Sequence, residues 1–97
     1  DDMVVVRGVN VFPSAIEEIV RTVPGIAEYR VQVNTRGAMP ELSIEIEPAD
    51  SGEQGTALTS RLETALRNTL SLRIPVALAP PHSLPRFEMK ARRWVRS

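Results

Sequence analysis

Residues 41–48, ELSIEIEP, alternate apolar and polar side chains at nearly every position. A period of two is typical of a β-strand with one face against a core and the other face in water. The inward positions are predicted to be Leu42, Ile44 and Ile46, and the outward positions Glu41, Ser43, Glu45 and Glu47. One wet face indicates an antiparallel sheet that is covered on one side only.

The segment before it, residues 26–35, alternates in the same way and predicts a second strand. Tyr29, Val31 and Val33 fall on one face of that strand. Between the two segments, Arg36-Gly37 predicts a hairpin turn, which residues 38–40 lengthen.

Two helices are predicted from apolar residues that recur every three or four positions. The first covers residues 13–23, with Ile16, Ile19, Val20 and Val23 on its apolar face, and the second covers residues 56–72. The predicted buried stripe of the second helix is Leu58, Leu62, Ala65, Leu66, Thr69 and Leu70. Glu17-Glu18 is attributed to favourable electrostatics near the start of the first helix.

Three further β segments complete the pattern. A β-branched run at 3–12 predicts a hairpin that bends at Arg7-Gly8, and residues 74–80 predict a third long strand; residues 91–97 can add a short final strand. The chain is therefore expected to be one α+β domain, residues 1–97. Its architecture is expected to be a small antiparallel sheet, about three main strands plus an N-terminal β-hairpin, with two helices packed on one face.

Charge and composition exclude several classes of partner. Twelve basic and twelve acidic side chains cancel, so neither nucleic acid nor a membrane surface is expected as a partner. The chain has no cysteine, which fits a cytoplasmic location, and no apolar run approaches the ~20 residues of a membrane span. One histidine and scattered carboxylates give no metal-ligand spacing, so no metal site is predicted.

Candidate reactive groups are few. His82 stands beside Ser83, but adjacency in sequence is not the geometry of a catalytic triad, and His82 is interpreted as an exposed loop residue. The basic residues near the end of the sequence allow three interpretations: a solvated face, a phosphate-contacting surface, or a frame for one catalytic lysine. These residues are Arg86, Lys90, Arg92, Arg93 and Arg96.

Two segments carry a longer and more specific pattern: DDMVVVRGVNVFPSAIEEIV at 1–20 and LPRFEMKARRWV at 84–95. Together they resemble the two ends of the C-terminal domain of phenylacetate–coenzyme A ligases, which belong to the adenylate-forming acyl-CoA synthetase superfamily. The resemblance covers essentially the whole chain. It implies that these residues are the small mobile domain of a longer enzyme, and it fits the lack of a methionine before Asp1.

The resemblance also implies roles for individual residues. Asp1 matches the hinge about which the small domain swings, and Lys90 matches the lysine required to form the acyl-adenylate. Gly8 matches the glycine that lines the channel for the pantetheine arm of coenzyme A, and Arg7 and Arg86 are expected to bind cofactor with it. ATP, Mg²⁺ and coenzyme A are implied as well. The implied partners are an N-terminal domain of the same chain and a small carboxylic acid of the arylacetate type, and a homo-oligomer is left open.

The second motif departs from the family pattern at Phe87 and Met89, where the family has a small residue and a glycine. This departure leaves open a ligase with weakened or retuned adenylation. It also keeps an alternative function, a free-standing, non-catalytic α+β module that binds a partner or a small ligand. A basic RNA-binding tail is a third alternative, but the sequence offers no stacking aromatics to support it.

Overall fold

The computed structural model describes residues 3–49, 55–86 and 93–96. Its elements in chain order are β1 (Val4–Val6), β2 (Val9–Val11), α1 (Pro13–Arg21), β3 (Ile26–Asn34), β4 (Glu41–Pro48), α2 (Gly55–Leu70), β5 (Val76–Leu78) and β6 (Trp94–Arg96). They form a two-stranded sheet, β1-β2, and a four-stranded sheet in the order β5-β4-β3-β6. The predicted α+β class, with two helices, is confirmed.

The four-stranded sheet is mixed rather than antiparallel throughout. Strands β3 and β4 pair antiparallel, with Val31 opposite Ile44, as their alternation predicts. Strands β5 and β6 join the two edges in parallel, β5 beside β4 and β6 beside β3. Helix α2 supplies the reason at one edge, since a helical crossover returns the chain to run parallel to the strand it left.

The N-terminal hairpin forms where the sequence predicts it. Val6 pairs with Val9, so Arg7 and Gly8 make a two-residue loop. Both loop residues have positive φ, 49° and 82°, as a type I′ turn requires. This turn matches the right-handed twist of the two strands and fixes their register.

The core lies between the helices and the sheet. Its fully buried side chains come from both helices, from the apolar faces of β3 and β4, from β2 and from the residues before β5. They include Val11, Ile16, Val31, Val33, Ile44, Leu62, Leu66 and Ile74. Within α2, Thr69 is exposed although the apolar stripe was predicted to include it. Within the described ranges, neither helix reaches the length and apolarity needed to span a bilayer.

Three glutamates depart from the predicted pattern. Glu47, predicted to point into water from β4, is 2% exposed, and Glu28 on β3 is 5% exposed. Glu17 is also buried, and it lies beyond the first turn of α1, so the attribution to helix-start electrostatics is wrong for this residue. Each of the three lies within reach of an arginine. Buried carboxylates require such partners, because an isolated buried charge is very costly.

Candidate functional site

The tip of the N-terminal hairpin exposes bare backbone. A Cβ added at Gly8 would meet no atom within 4 Å beyond the two adjacent residues. Arg7 adopts positive φ, a conformation that costs a residue with a side chain about 1–2 kcal/mol. Its guanidinium donates a hydrogen bond to Glu41 Oε1 at 2.9 Å, where β4 begins. The turn therefore combines an open backbone with a cation held beside β4.

A hollow of about 270 Å³ opens beside this turn. Arg7 and Arg73 contribute two positive charges to its lining, and Glu41 contributes one negative charge. Asn34 and Ser43 add polar groups that can donate hydrogen bonds. Leu42 and Pro75 complete the described lining, so the hollow is partly apolar and suits a ligand with both an apolar part and an anionic group.

A second group of charges lies where β4 ends. Arg86 donates two hydrogen bonds to the Glu47 carboxylate, from Nη2 to Oε1 at 2.5 Å and from Nη1 to Oε2 at 3.0 Å. The backbone N–H of Leu84 donates to the same carboxylate, and Arg86 Nη1 also donates to the Leu84 carbonyl. The bond from Arg86 is the main cause that lowers the pKa of Glu47 to about 2. The carboxylate is therefore ionised at neutral pH.

Arg93 makes a comparable contact on the neighbouring strand. Its Nε donates to Glu28 Oε1 at 2.7 Å, and its Nη1 lies 4.0 Å from Glu17 Oε1 on α1. The guanidinium carbon also lies 5.1 Å from the centre of the Tyr29 ring, within cation–π range. Burial, followed by the negative charge of Glu17, raises the pKa of Tyr29 to about 12.

The two groups of charges lie at opposite ends of β4. Arg7 reaches Glu41 at the start of the strand, and Arg86 reaches Glu47 six residues later. At about 3.3 Å per residue the two carboxylates are roughly 20 Å apart. The structure thus brings Gly8 and Arg7 together and separates Arg86 from them.

Several predicted residues fall elsewhere. Asp1, Lys90, Phe87 and Met89 lie outside the described residues. His82 is exposed, as predicted. The Ser83 hydroxyl donates to the Pro80 carbonyl at 2.6 Å.

Sequence reasoning missed Glu47 and Glu28 as members of a charge cluster. The strict alternation of β4 placed Glu47 in water together with Glu45. A signal was present in the unequal charge distribution, because the residues after 85 are strongly basic while the whole chain is neutral. The compensating carboxylates had to lie earlier in the sequence. Among the described residues, no group of three or more His, Asp or Glu side chains is placed to hold a metal ion.

Comparison with known proteins identifies the family of this domain. A sequence profile of the family described as AMP-binding enzyme C-terminal domain matches residues 8–96. The chain therefore belongs to the family of C-terminal domains of AMP-binding enzymes.

Curated relatives are more specific, and they are phenylacetate–coenzyme A ligases. The chain is 35% identical over 97 residues to the ligase of Escherichia coli, covering 94% of this chain and 22% of the relative. It is 32% identical over 103 residues to the ligase of Aromatoleum evansii, covering 98% of this chain and 23% of the relative. The resemblance in sequence is confirmed, and the chain spans less than a quarter of the length of these relatives.

Solved structures agree with the relatives. A domain of phenylacetate–coenzyme A ligase from Bacteroides vulgatus superposes with a TM-score of 0.78 at 28% identity, covering 99% of this chain and 92% of that one. 2-Hydroxyisobutyryl-CoA ligase matches with a TM-score of 0.85 in a postadenylation state, at 30% identity over 100% of this chain and 22% of that one. The same ligase matches with a TM-score of 0.82 in a thioesterification state, at 31% identity over 99% of this chain and 21% of that one. The same domain fold is therefore present in both states of that relative.

Proposed function

We propose that this chain is the C-terminal domain of an acyl-CoA ligase that activates a carboxylic acid of the arylacetate type. In this proposal the full-length enzyme consumes ATP to form an acyl-adenylate and then transfers the acyl group to coenzyme A. The arylacetate class rests on the names of the curated relatives. The isolated domain is expected to be inactive, because an N-terminal domain would supply the acid pocket and most nucleotide contacts.

The open turn at Gly8 is the observation that carries the coenzyme A half of the proposal. The Gly8 backbone has nothing within 4 Å of its missing Cβ, so a narrow chain such as pantetheine can approach it closely. Arg7 and Arg73 lie around the adjacent hollow, and coenzyme A is an anion that their charges favour. The described residues therefore fit this co-substrate, and Arg7 keeps its proposed part in binding it.

The adenylation half is assigned to Lys90. A substrate carboxylate must approach the α-phosphate of ATP, so two anions meet and negative charge develops on the phosphoryl oxygens. An ammonium group between them offsets both the repulsion and the developing charge. Lys90 is the only lysine in the sequence, and all other basic residues are arginines. Arg86, whose side chain is half exposed, is proposed to lie near the same nucleotide.

The separation of the two charge groups supports a domain that turns one end towards the active site for adenylation and the other end for thioester formation. The Gly8 turn and Arg86 lie at opposite ends of β4, so one surface can face the active site while the other is turned away. Rotation about a hinge at Asp1 would exchange them, and hinges of this kind need only a few backbone angles to change.

Mg²⁺ is proposed to enter with ATP, since the described residues form no metal cluster of their own. A cytoplasmic location is proposed for the whole protein, in keeping with a cysteine-free domain.

The test is to measure the two half-reactions separately in the full-length protein. Lys90→Ala is expected to lower acid-dependent pyrophosphate exchange by roughly 100-fold or more, since a fixed donor to the developing charge is worth about that much. Thioester formation from preformed acyl-adenylate should stay within about two-fold of wild type. Arg92→Ala, which removes a neighbouring positive charge, is the matched control and should leave both half-reactions intact.

Two outcomes would contradict the proposal. Equal losses in both half-reactions would show that Lys90 has no special part in adenylation. A panel of aryl and alkyl acids assayed by the same exchange reaction would decide the substrate class, and activity confined to short alkyl acids would overturn the arylacetate assignment.

A further inference from the structure

The outer face of the N-terminal hairpin is apolar. The inner face is buried in the core and consists of Val4, Val6 and Val11. The opposite face carries Met3, Val5 and Phe12, whose exposed fractions are 41%, 43% and 41%. Val5 pairs across the hairpin with Asn10, and the backbone remains extended through Phe12, so strand alternation places these side chains on one surface. Met3, Val5 and Phe12 are called the apolar patch below.

The outer face of the four-stranded sheet is built differently. There Arg30 donates to the Glu45 carboxylate at 2.7 Å, and Gln32 donates to the same oxygen at 3.3 Å. Single exposed apolar side chains are ordinary on a protein surface and need no explanation. Three of them on one face of a short hairpin, in a domain that covers its other sheet with charged groups, indicate a contact surface.

Phe12 gives a second, independent reason to expect a contact. It occupies the N-cap position of α1, where Ser, Thr, Asp and Asn are preferred because their side chains accept a hydrogen bond from the first turn. The Phe12 side chain makes no capping hydrogen bond. A residue that breaks a local rule and also stays exposed marks a position whose role lies outside the stability of its own element.

The N-terminal domain of the same chain is the body best placed to cover the patch. The matched family consists of C-terminal domains, and the chain spans only 22% and 23% of two curated relatives, so most of such a protein precedes β1. Met3 belongs to the patch and immediately precedes β1. The patch therefore adjoins the side of the domain to which the larger part of the protein is joined.

We propose that the apolar patch is a contact surface for the N-terminal domain, engaged when the Gly8 turn faces the active site for thioester formation. The inference rests on the proposed function and adds the surface that stabilises one of its two arrangements. Val5 lies two residues before Arg7, so the patch begins roughly 7 Å from the turn. A turn that enters the active site brings this nearby surface against the surrounding wall, and rotation of the domain withdraws both.

The first test compares the oxidation of two methionines in the full-length protein by peroxide and mass spectrometry. Met3 belongs to the patch, whereas Met39 lies between β3 and β4 and is 55% exposed. Coenzyme A added with a non-hydrolysable acyl-adenylate analogue should slow sulfoxide formation at Met3 about five-fold or more and leave Met39 within about two-fold. No response at Met3, or equal slowing of both methionines, would overturn the inference.

A matched pair of valine variants tests the same surface by kinetics. Val5→Thr keeps the β-branched shape but places a hydroxyl where the proposed contact would bury it without a partner, so thioester formation from preformed acyl-adenylate should fall roughly ten-fold. Pyrophosphate exchange should stay within about two-fold. Val95→Thr is the control, because Val95 is 39% exposed on β6, in the other sheet. It should leave both half-reactions intact, and equal losses in the two variants would contradict the proposal.

Phe12→Ser separates contact from folding. Serine can supply the missing cap of α1, which offsets the packing that the buried part of Phe12 provides. Pyrophosphate exchange should therefore stay within about two-fold, while thioester formation should fall roughly ten-fold or more, as when an aromatic anchor is removed from an interface. Unchanged thioester formation, or an equal fall in both half-reactions, would refute a role for Phe12 in the contact.

The results also separate this inference from the proposed function. If the wild-type full-length protein supports neither acid-dependent pyrophosphate exchange nor thioester formation, the proposed function fails. If the wild type carries out both half-reactions but Met3 oxidation does not respond to the ligands, the inference alone fails. The same holds if Val5→Thr and Phe12→Ser both retain wild-type thioester formation.

Discussion

Gly8 permits a test in which backbone strain and channel width are measured apart. Its φ of +82° is unfavourable for any residue with a side chain, so Gly8→Ala should destabilise the domain by about 1–2 kcal/mol. A Cβ there meets no neighbour within 4 Å, so the backbone strain is expected to be similar in Gly8→Ala and Gly8→Leu. For a domain of this size, each 1 kcal/mol corresponds to a shift of roughly 4–8 °C in Tm.

The effect on catalysis should follow side-chain size instead. If the pantetheine arm passes over Gly8, thioester formation should fall modestly in Gly8→Ala and by a further ten-fold or more in Gly8→Leu, since the larger side chain would project into the channel. Pyrophosphate exchange should be unchanged in both. The assays are thermal unfolding of the domain and separate half-reaction kinetics of the full-length protein.

Gly25 provides the control for this series. It has φ +98° and lies just before β3, and a Cβ there would make only an ordinary contact with Leu58 at 3.6 Å. Gly25→Ala should therefore lose similar stability without weakening the coenzyme A step. The channel hypothesis fails if Gly8→Leu and Gly8→Ala reduce thioester formation equally. The strain estimate fails if Gly8→Leu is much less stable than Gly8→Ala.

Two further predictions concern the charges at the ends of β4. Arg7→Asn should stabilise the domain by up to about 1 kcal/mol in urea denaturation, because Asn tolerates positive φ and the exposed Arg7–Glu41 pair contributes little. In the full-length variant the KM for coenzyme A should rise, and an unchanged KM would argue against a binding role for Arg7. The pKa of Glu47 is lowered from 4.5 to about 2, so its ion pair should contribute stability above pH 4.5 that is lost as pH falls towards 2. The difference in stability between wild type and Glu47→Gln should shrink across that window, and a difference independent of pH would contradict the assignment.

Periodicity predicted most of the fold. The buried faces of β3 and β4 and the Leu58-Leu62-Leu66 stripe of α2 are local properties, because each follows from the repeat of its own element. The Arg7-Gly8 turn is local as well. The parallel pairing of the two edge strands was not predictable in this way, since it depends on how the chain crosses between elements.

The residues of the candidate site also differ in whether a local sequence pattern could predict them. Gly8 and Arg7 were identified through a contiguous motif in the sequence, and the coenzyme A role that the motif implies stays a prediction. Glu47 was misplaced because its neutralising partner, Arg86, lies 39 residues later in the chain. The partner of Glu28 is Arg93, which lies 65 residues later. No pattern within a single strand can reveal partners at such distances.

These long separations have a consequence for how the protein is made. A ribosome releases Glu28 and Glu47 well before the arginines that neutralise them, so the nascent chain holds two facing negative charges with no counterpart. The hairpin that carries them cannot exclude water at that end until the later segment arrives, and domains whose contacts are far apart in sequence fold slowly. The domain is therefore expected to gain its final order only after Arg93 has left the exit tunnel.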